Sequence, residues 1–181
     1  MNGIDFIKAA IKDYKIGAVT SSSKYVVQGI VREIKPEHKY IIEYGAGDGV
    51  VTKEILNCLP PDGRLIAFEL NKDFISRLKE IHDKRLIVVN EDVVMASRDF
   101  QKFGLPRIDT VISGIPLTLI SPKAREELIR NTYSALSESG LFLVYQYSPL
   151  VFPVLKKIFK NIRLSFEPRN FLPYFIMRAE K

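Results

Sequence analysis

At 181 residues with 46% hydrophobic side chains, the chain can bury a sizeable core as one domain and leaves little length for a second module. Its 27 Lys and Arg against 21 Asp and Glu give a net charge of +6, which favours a polyanionic partner surface, anionic lipid or RNA, without choosing between them. Cys58 is the only cysteine, which excludes an internal disulfide and a cysteine-based metal cluster.

The first stretch carries Ile4, Ile7, Ile11 and Tyr14 at helical spacing, with Phe6 and Ala10 beside them and Lys8, Lys12 and Lys15 off the stripe. Such a basic amphipathic helix suits either the headgroup region of an anionic membrane or a cap on the core. Asp5 and Lys8 interrupt any early apolar run, so no secretory signal is expected. A second helix is expected over 24–34, with Ser21, Ser22 and Ser23 as N-cap candidates. Residues 1–35 thus read as a helical segment packed on or capping a domain at 36–181.

Strands expected at 40–44, 64–69, 86–90, 108–113 and 141–145 alternate with helices at 50–59, 71–82, 94–103 and 122–136. That is a βαβ series with a mostly parallel sheet. After a short helix at 151–160, strands near 162–167 and 171–178 leave no room for a crossover helix and should pair antiparallel. Gln146, Ser148, Pro149 and Pro153 rule against a membrane-spanning helix at 141–155. Cys58 is expected to pack in its helix. His38 and His82 are expected at the surface, with no acid or cysteine pattern around them to suggest a metal.

The first strand runs into Glu43-Tyr44-Gly45-Ala46-Gly47-Asp48-Gly49. Alternating glycines at a strand-to-helix turn let a nucleotide-like ligand approach backbone N–H groups without meeting a Cβ. The dinucleotide fingerprint wants its third glycine where Val50 stands. The pattern instead resembles the first motif of class I S-adenosylmethionine-dependent methyltransferases. That resemblance implies an α/β fold, a Rossmann-like seven-stranded, mostly parallel sheet with a terminal antiparallel hairpin and helices on both faces. It also implies S-adenosyl-L-methionine as cofactor, with Gly45, Ala46, Gly47 and Gly49 facing the methionine part and Glu43 holding its ammonium directly or through water. Glu69 ends the second strand about twenty residues beyond the glycines, where the family holds the ribose hydroxyls, and Leu70 follows it as a further cofactor contact. At Asn90-Glu91-Asp92, ending the third strand, the resemblance places Asp92, with Glu91 beside it, against the adenine amino group and the Val93 N–H against the ring.

The fourth strand ends in Ser113-Gly114-Ile115-Pro116-Leu117. Methyltransferases of nucleic acid bases carry Asn or Asp and an aromatic at the ends of this motif, to orient and stack a planar base, and neither function is available from Ser113 and Leu117. The run resembles the Ser-Gly-Leu-Pro-Leu motif of bacterial phosphatidylethanolamine N-methyltransferases of the soluble, peripheral-membrane type. Two further segments resemble that family. Ile16-Gly17-Ala18-Val19-Thr20-Ser21-Ser22-Ser23 is similar to its Gly-Ala-Val-Thr-Pro-Ser-Ser, with Ser21 in place of proline, and Tyr147-Ser148-Pro149 to its Tyr-Gly-Pro. Ribosomal RNA adenine dimethylases share the same layout. The resemblance implies cofactor contacts from Thr20, Ser113 and Gly114, and an amine oriented by Tyr147, with Tyr25 second and Ser113 in the catalytic position. The expectation is an N-methyltransferase of an aminophospholipid headgroup, cytoplasmic or peripheral at the inner face of an anionic membrane. RNA base methylation and a non-catalytic cofactor-binding module are the alternatives.

Overall fold

The computed structural model describes residues 23–169 and 173–181; the basic amphipathic stripe and Thr20 lie outside the described residues. One sheet contains β1 (Tyr40–Tyr44), β2 (Arg64–Phe68), β3 (Leu86–Val89), β4 (Ile108–Ser113), β5 (Leu136–Gln146), β6 (Asn161–Glu167) and β7 (Tyr174–Glu180). Their order is β3-β2-β1-β4-β5-β7-β6. The first five pair in parallel, and β7 runs antiparallel to both β5 and β6, as two strands without a crossover must.

Among the described residues six helices cover the sheet: α1 (Lys24–Val31), α2 (Val50–Cys58), α3 (Lys72–Lys79), α4 (Val93–Ala96), α5 (Pro122–Ala135) and α6 (Phe152–Ile158). Strand alternation divides their partners. Ile41, Leu65, Ile112 and Leu143 meet Val26, Ile30, Val51 and Ile55 of α1 and α2, and Ala67 meets Leu78 of α3. Ile42, Ile66, Val111 and Val144 face α4, α5 and α6 through Val93, Leu128 and Leu155. Ser23 caps α1 through a bond from Val26 N, and Ser121 caps α5 with Pro122 at its first turn.

Because β1 lies between β2 and β4, the chain leaves β1 toward one face and leaves β4 toward the other. A crevice opens at the carboxyl ends of these strands, the place where open α/β sheets bind ligands.

Several expectations need correction. The helix expected at 94–103 is α4 followed by a separate 3-10 turn, Phe100–Phe103. Asp99 leaves helical geometry, and its carboxylate caps Gln101 N, so the local side chain outcompetes helix continuation. β5 starts five residues early, through a register shift between Ile108 and Thr110 on β4 and a positive φ at Ser139. His38 is buried rather than exposed, with Nδ1 2.6 Å from Thr110 Oγ1. Cys58 is exposed at the end of α2 rather than packed.

Candidate active site

Gly45, Gly47 and Gly49 all take positive φ, +74°, +55° and +84°. A Cβ on Gly45 would lie 2.5 Å from Ile115 Cγ2, so the turn after β4 itself requires glycine there. The Cβ direction of Gly47 meets nothing within 4 Å. Its backbone therefore borders open space in a conformation that glycine adopts at no steric cost. The loop is anchored from behind, since Gly45 N and Ala46 N both donate to Phe68 O, at 2.9 and 3.1 Å.

Glu69 follows β2 and joins that loop. Its Oε2 accepts Gly47 N at 2.8 Å, and its Oε1 accepts Leu70 N and Asn71 N, each at 2.8 Å. A carboxylate offers about four acceptor sites, so one on Oε2 remains for a hydroxyl donor. Leu70 stands exposed beside it as apolar surface for a planar base. From the end of β3, Asn90 Nδ2 donates to Glu69 O at 2.9 Å, tying the two strand ends together. Asp92 caps α4, with Oδ1 accepting Val94 N at 2.8 Å and Oδ2 left for an amine donor. Val93 opens that helix, where N–H groups lack intrahelical partners. Glu91 instead pairs with Lys102 at 2.6 Å.

Glu43 points to the first turn of α2, not to solvent. Its Oε2 accepts Thr52 Oγ1–H at 2.7 Å, while Oε1 is buried with no hydrogen-bond partner. Burial pushes its carboxyl up to about 7, with the Thr52 bond opposing and the charges of Glu69 and Asp48 adding to the rise. In this arrangement neither oxygen of the Glu43 carboxylate reaches solvent.

On the acceptor side, Ser113 is fully buried on the α5 face with its Oγ unpartnered, and Gly114 N donates to Tyr44 O at 2.9 Å. Tyr145 fills the notch beside Gly114. A Cβ on Gly114 would lie 2.3 Å from the Tyr145 hydroxyl oxygen and 3.2 Å from Gly45 O, so phenol and loop carbonyl converge on one point. Tyr147 is half-buried and packs its ring 4.3 Å from that of Tyr174. Tyr25 is already engaged, with the Arg169 guanidinium 4.2 Å and the Lys24 ammonium 5.2 Å from its ring centre. Tyr25 thus already carries two cations of the protein itself against its ring.

Sequence reasoning missed Tyr145, Tyr174 and Gln146. Gln146 is buried; its Oε1 accepts Leu117 N at 3.1 Å and its Nε2 donates to Ser148 O, so one side chain fixes the turns after β4 and β5. The signal for it was an amide closing an otherwise apolar strand, Leu141 to Tyr145, since such a group is buried only when both its ends are paired.

A family model for ribosomal RNA adenine dimethylase matches residues 17–104. The ornithine lipid N-methyltransferase of Singulisphaera acidiphila is 32% identical over 162 residues, spanning 87% of this chain and 84% of that protein. The ribosomal RNA small subunit methyltransferase H of Christiangramia forsetii is 34% identical over 80 residues, 44% of this chain and 26% of that protein. Among solved structures, the 1,6-didemethyltoxoflavin-N1-methyltransferase of Burkholderia thailandensis, with bound 1,6-didemethyltoxoflavin and S-adenosylhomocysteine, superimposes with a TM-score of 0.71. The superposition covers 99% of this chain and 86% of that one at 16% identity, a likeness of fold.

Proposed function

Since the chain belongs to the S-adenosylmethionine-dependent methyltransferase family, we propose that it methylates the amine of a lipid headgroup. The extent of the matches carries this reading. The ornithine lipid relative aligns across 87% of the chain, whereas the RNA dimethylase model stops at residue 104, before β4 begins, and so covers only the cofactor half. The acceptor half agrees. Ser113 is sealed in the core and Leu117 is fully buried, so the turn after β4 presents no amide to orient a base and no ring to stack on it.

The residues present fit the cofactor: Gly47 borders open space, Glu69 keeps an acceptor site, and Leu70 offers exposed apolar surface. When bound, S-adenosylmethionine supplies a methyl group activated by a sulfonium centre. Glu69 then holds the ribose, Asp92 and the Val93 N–H hold the adenine edge, and Glu43 acts on the ammonium through water. Gly45, Ala46, Gly49, Ser113 and Gly114 supply backbone shape around it. No dedicated nucleophile is needed; the chain must position a neutral amine and exclude water. Tyr147 orients the amine, and Gln146 holds the turns on either side of it. The buried rings of Tyr145 and Tyr174 disfavour a primary ammonium and so favour the free base that can attack, its proton passing to solvent.

The net charge of +6 supports access at an anionic membrane surface, and among the described residues no helix is long and apolar enough to cross a membrane. RNA base methylation remains the second reading on the strength of the 17–104 match. Labelled methyl transfer separates them: vesicles of phosphatidylglycerol with either phosphatidylethanolamine or ornithine lipid should take up label, and total RNA should not. Label in RNA alone would overturn the lipid reading.

A further inference from the structure

Three tyrosines share one face of the sheet at its carboxyl-end rim. Tyr145 and Tyr147 are two apart on the chain leaving β5, so they project to the same side. The β5–β7 ladder pairs Gln146 with Phe175, and Tyr174 is the next residue outward on β7. Its ring centre is 6.0 Å from that of Tyr145 and 4.3 Å from that of Tyr147, with the planes tilted by 41° and 45°. Tyr145 reaches the notch where Gly114 and the Gly45 carbonyl meet, which places this aromatic wall against the cofactor loop.

Tyr147 also differs from the other half-buried tyrosines among the described residues. Tyr25, Tyr40 and Tyr133 each lie under a lysine or arginine of the protein itself. Among the described residues no such cation covers Tyr147, although it is the member of the wall nearest solvent. A ring face at a site for amines, not already loaded by a protein cation, is available to a ligand cation.

We propose that Tyr145, Tyr147 and Tyr174 form a binding wall for methylated ammonium, so that the site holds an amine better after each methyl is added. The inference rests on the amine-methylating function proposed above. A primary ammonium is strongly hydrated and loses hydrogen bonds against ring faces, which offer none in return. Each methyl replaces an N–H with apolar surface that packs on a ring, while the positive charge keeps its attraction to the ring quadrupole. The step itself balances simply. The nitrogen lone pair forms the N–C bond, the C–S bond breaks with its electron pair left on sulfur, and an N–H proton passes to water before a further transfer. The quaternary product has no proton to lose.

Binding to the cofactor-free protein tests the wall apart from turnover. With no tryptophan in the chain, tyrosine fluorescence reports the titration directly. The probes are dihexanoyl phosphatidylcholine and dihexanoyl phosphatidylethanolamine. The trimethylated lipid should bind about 3- to 30-fold tighter, the range that cation–π contacts supply. Tyr147→Leu should bring that ratio close to one, and Tyr147→Phe, which keeps the ring, should preserve it; Tyr174→Phe serves as a second ring-conserving variant. Equal affinity for both lipids in the unaltered protein, or an unchanged ratio in Tyr147→Leu, would overturn the wall and leave lipid methylation standing. Binding of neither lipid together with no methyl uptake by lipid would overturn both.

Discussion

The backbone N–H of Gly47 donates to Oε2 of Glu69 at 2.8 Å, joining the loop after β1 to the acid after β2. The residue that anchors the glycine loop is thus also the residue proposed to hold the ribose. Glu69→Gln puts an amide N–H₂ where Gly47 N–H or a hydroxyl must donate, and at least one charge-assisted bond is lost. Cofactor affinity, measured by calorimetric titration, should fall about 10- to 100-fold. An unchanged affinity would mean that Glu69 only shapes the loop.

Glu43 predicts a pH dependence of the cofactor-free protein. Its folded value of about 7 stands above its ordinary 4.5, so between those values the folded state keeps a proton that the unfolded state has released. Stability from this group is present below 4.5, declines as pH rises through that window, and is flat above 7. Glu43→Gln removes the cost of the buried charge, on the order of 3 kcal/mol as an upper bound. The variant should melt higher than the unaltered protein at pH 8, with the gap closing by pH 4.5. Its affinity for the cofactor should drop, because the carboxylate proposed to act on the ammonium through water is replaced by a neutral amide. A pH-independent gap in melting temperature would contradict the assignment.

His38 works in the opposite direction and at the opposite end of the sheet. Burial holds its pKa below the ordinary 6.5, against the pull of Asp109, so the fold favours the neutral ring. That contribution is complete above 6.5 and is lost as pH falls below it. Thr110→Val leaves the buried Nδ1 without its partner and should cost about 1–3 kcal/mol in urea unfolding at pH 8. Cofactor affinity should not change, since the pair stands at the start of β1, away from the glycine loop.

Gly114→Ala probes the notch between loop and acceptor wall. The added methyl meets the Tyr145 hydroxyl at 2.3 Å and its Cζ at 2.7 Å, an overlap that only movement of the ring or turn relieves. Methyl transfer should fall by more than tenfold while the far-UV circular dichroism stays unchanged, and Tyr145→Phe should restore part of the loss. Full activity in the single variant would show that the turn has slack that the geometry denies.

The cofactor half was legible because its signals are one-dimensional. An apolar run followed by an acid marks the approach of a strand end: Glu43 is the penultimate residue of β1, Glu69 the first after β2 and Asp92 the third after β3. The acceptor half depends on which loops meet, which spacing does not encode. Tyr145 and Tyr147 look equivalent on one strand face, and only the position of Gly114, on the neighbouring strand's turn, distinguishes them. Tyr25 read as available because Arg169, whose guanidinium covers it, is remote in the chain. The break after α4 and the burial of His38 have the same origin: a single side-chain bond, Asp99 to Gln101 N or His38 to Thr110, overrides a pattern that averages over many residues.

The most direct test is mass spectrometry of lipids after incubation of the purified chain with S-adenosylmethionine and mixed vesicles of phosphatidylglycerol, phosphatidylethanolamine and ornithine lipid, with total RNA in the same tube. The account predicts added methyl groups located by fragmentation on a headgroup nitrogen, with acyl chains and RNA bases unmodified. Methyl groups found on RNA bases, with every lipid headgroup unchanged, would contradict it.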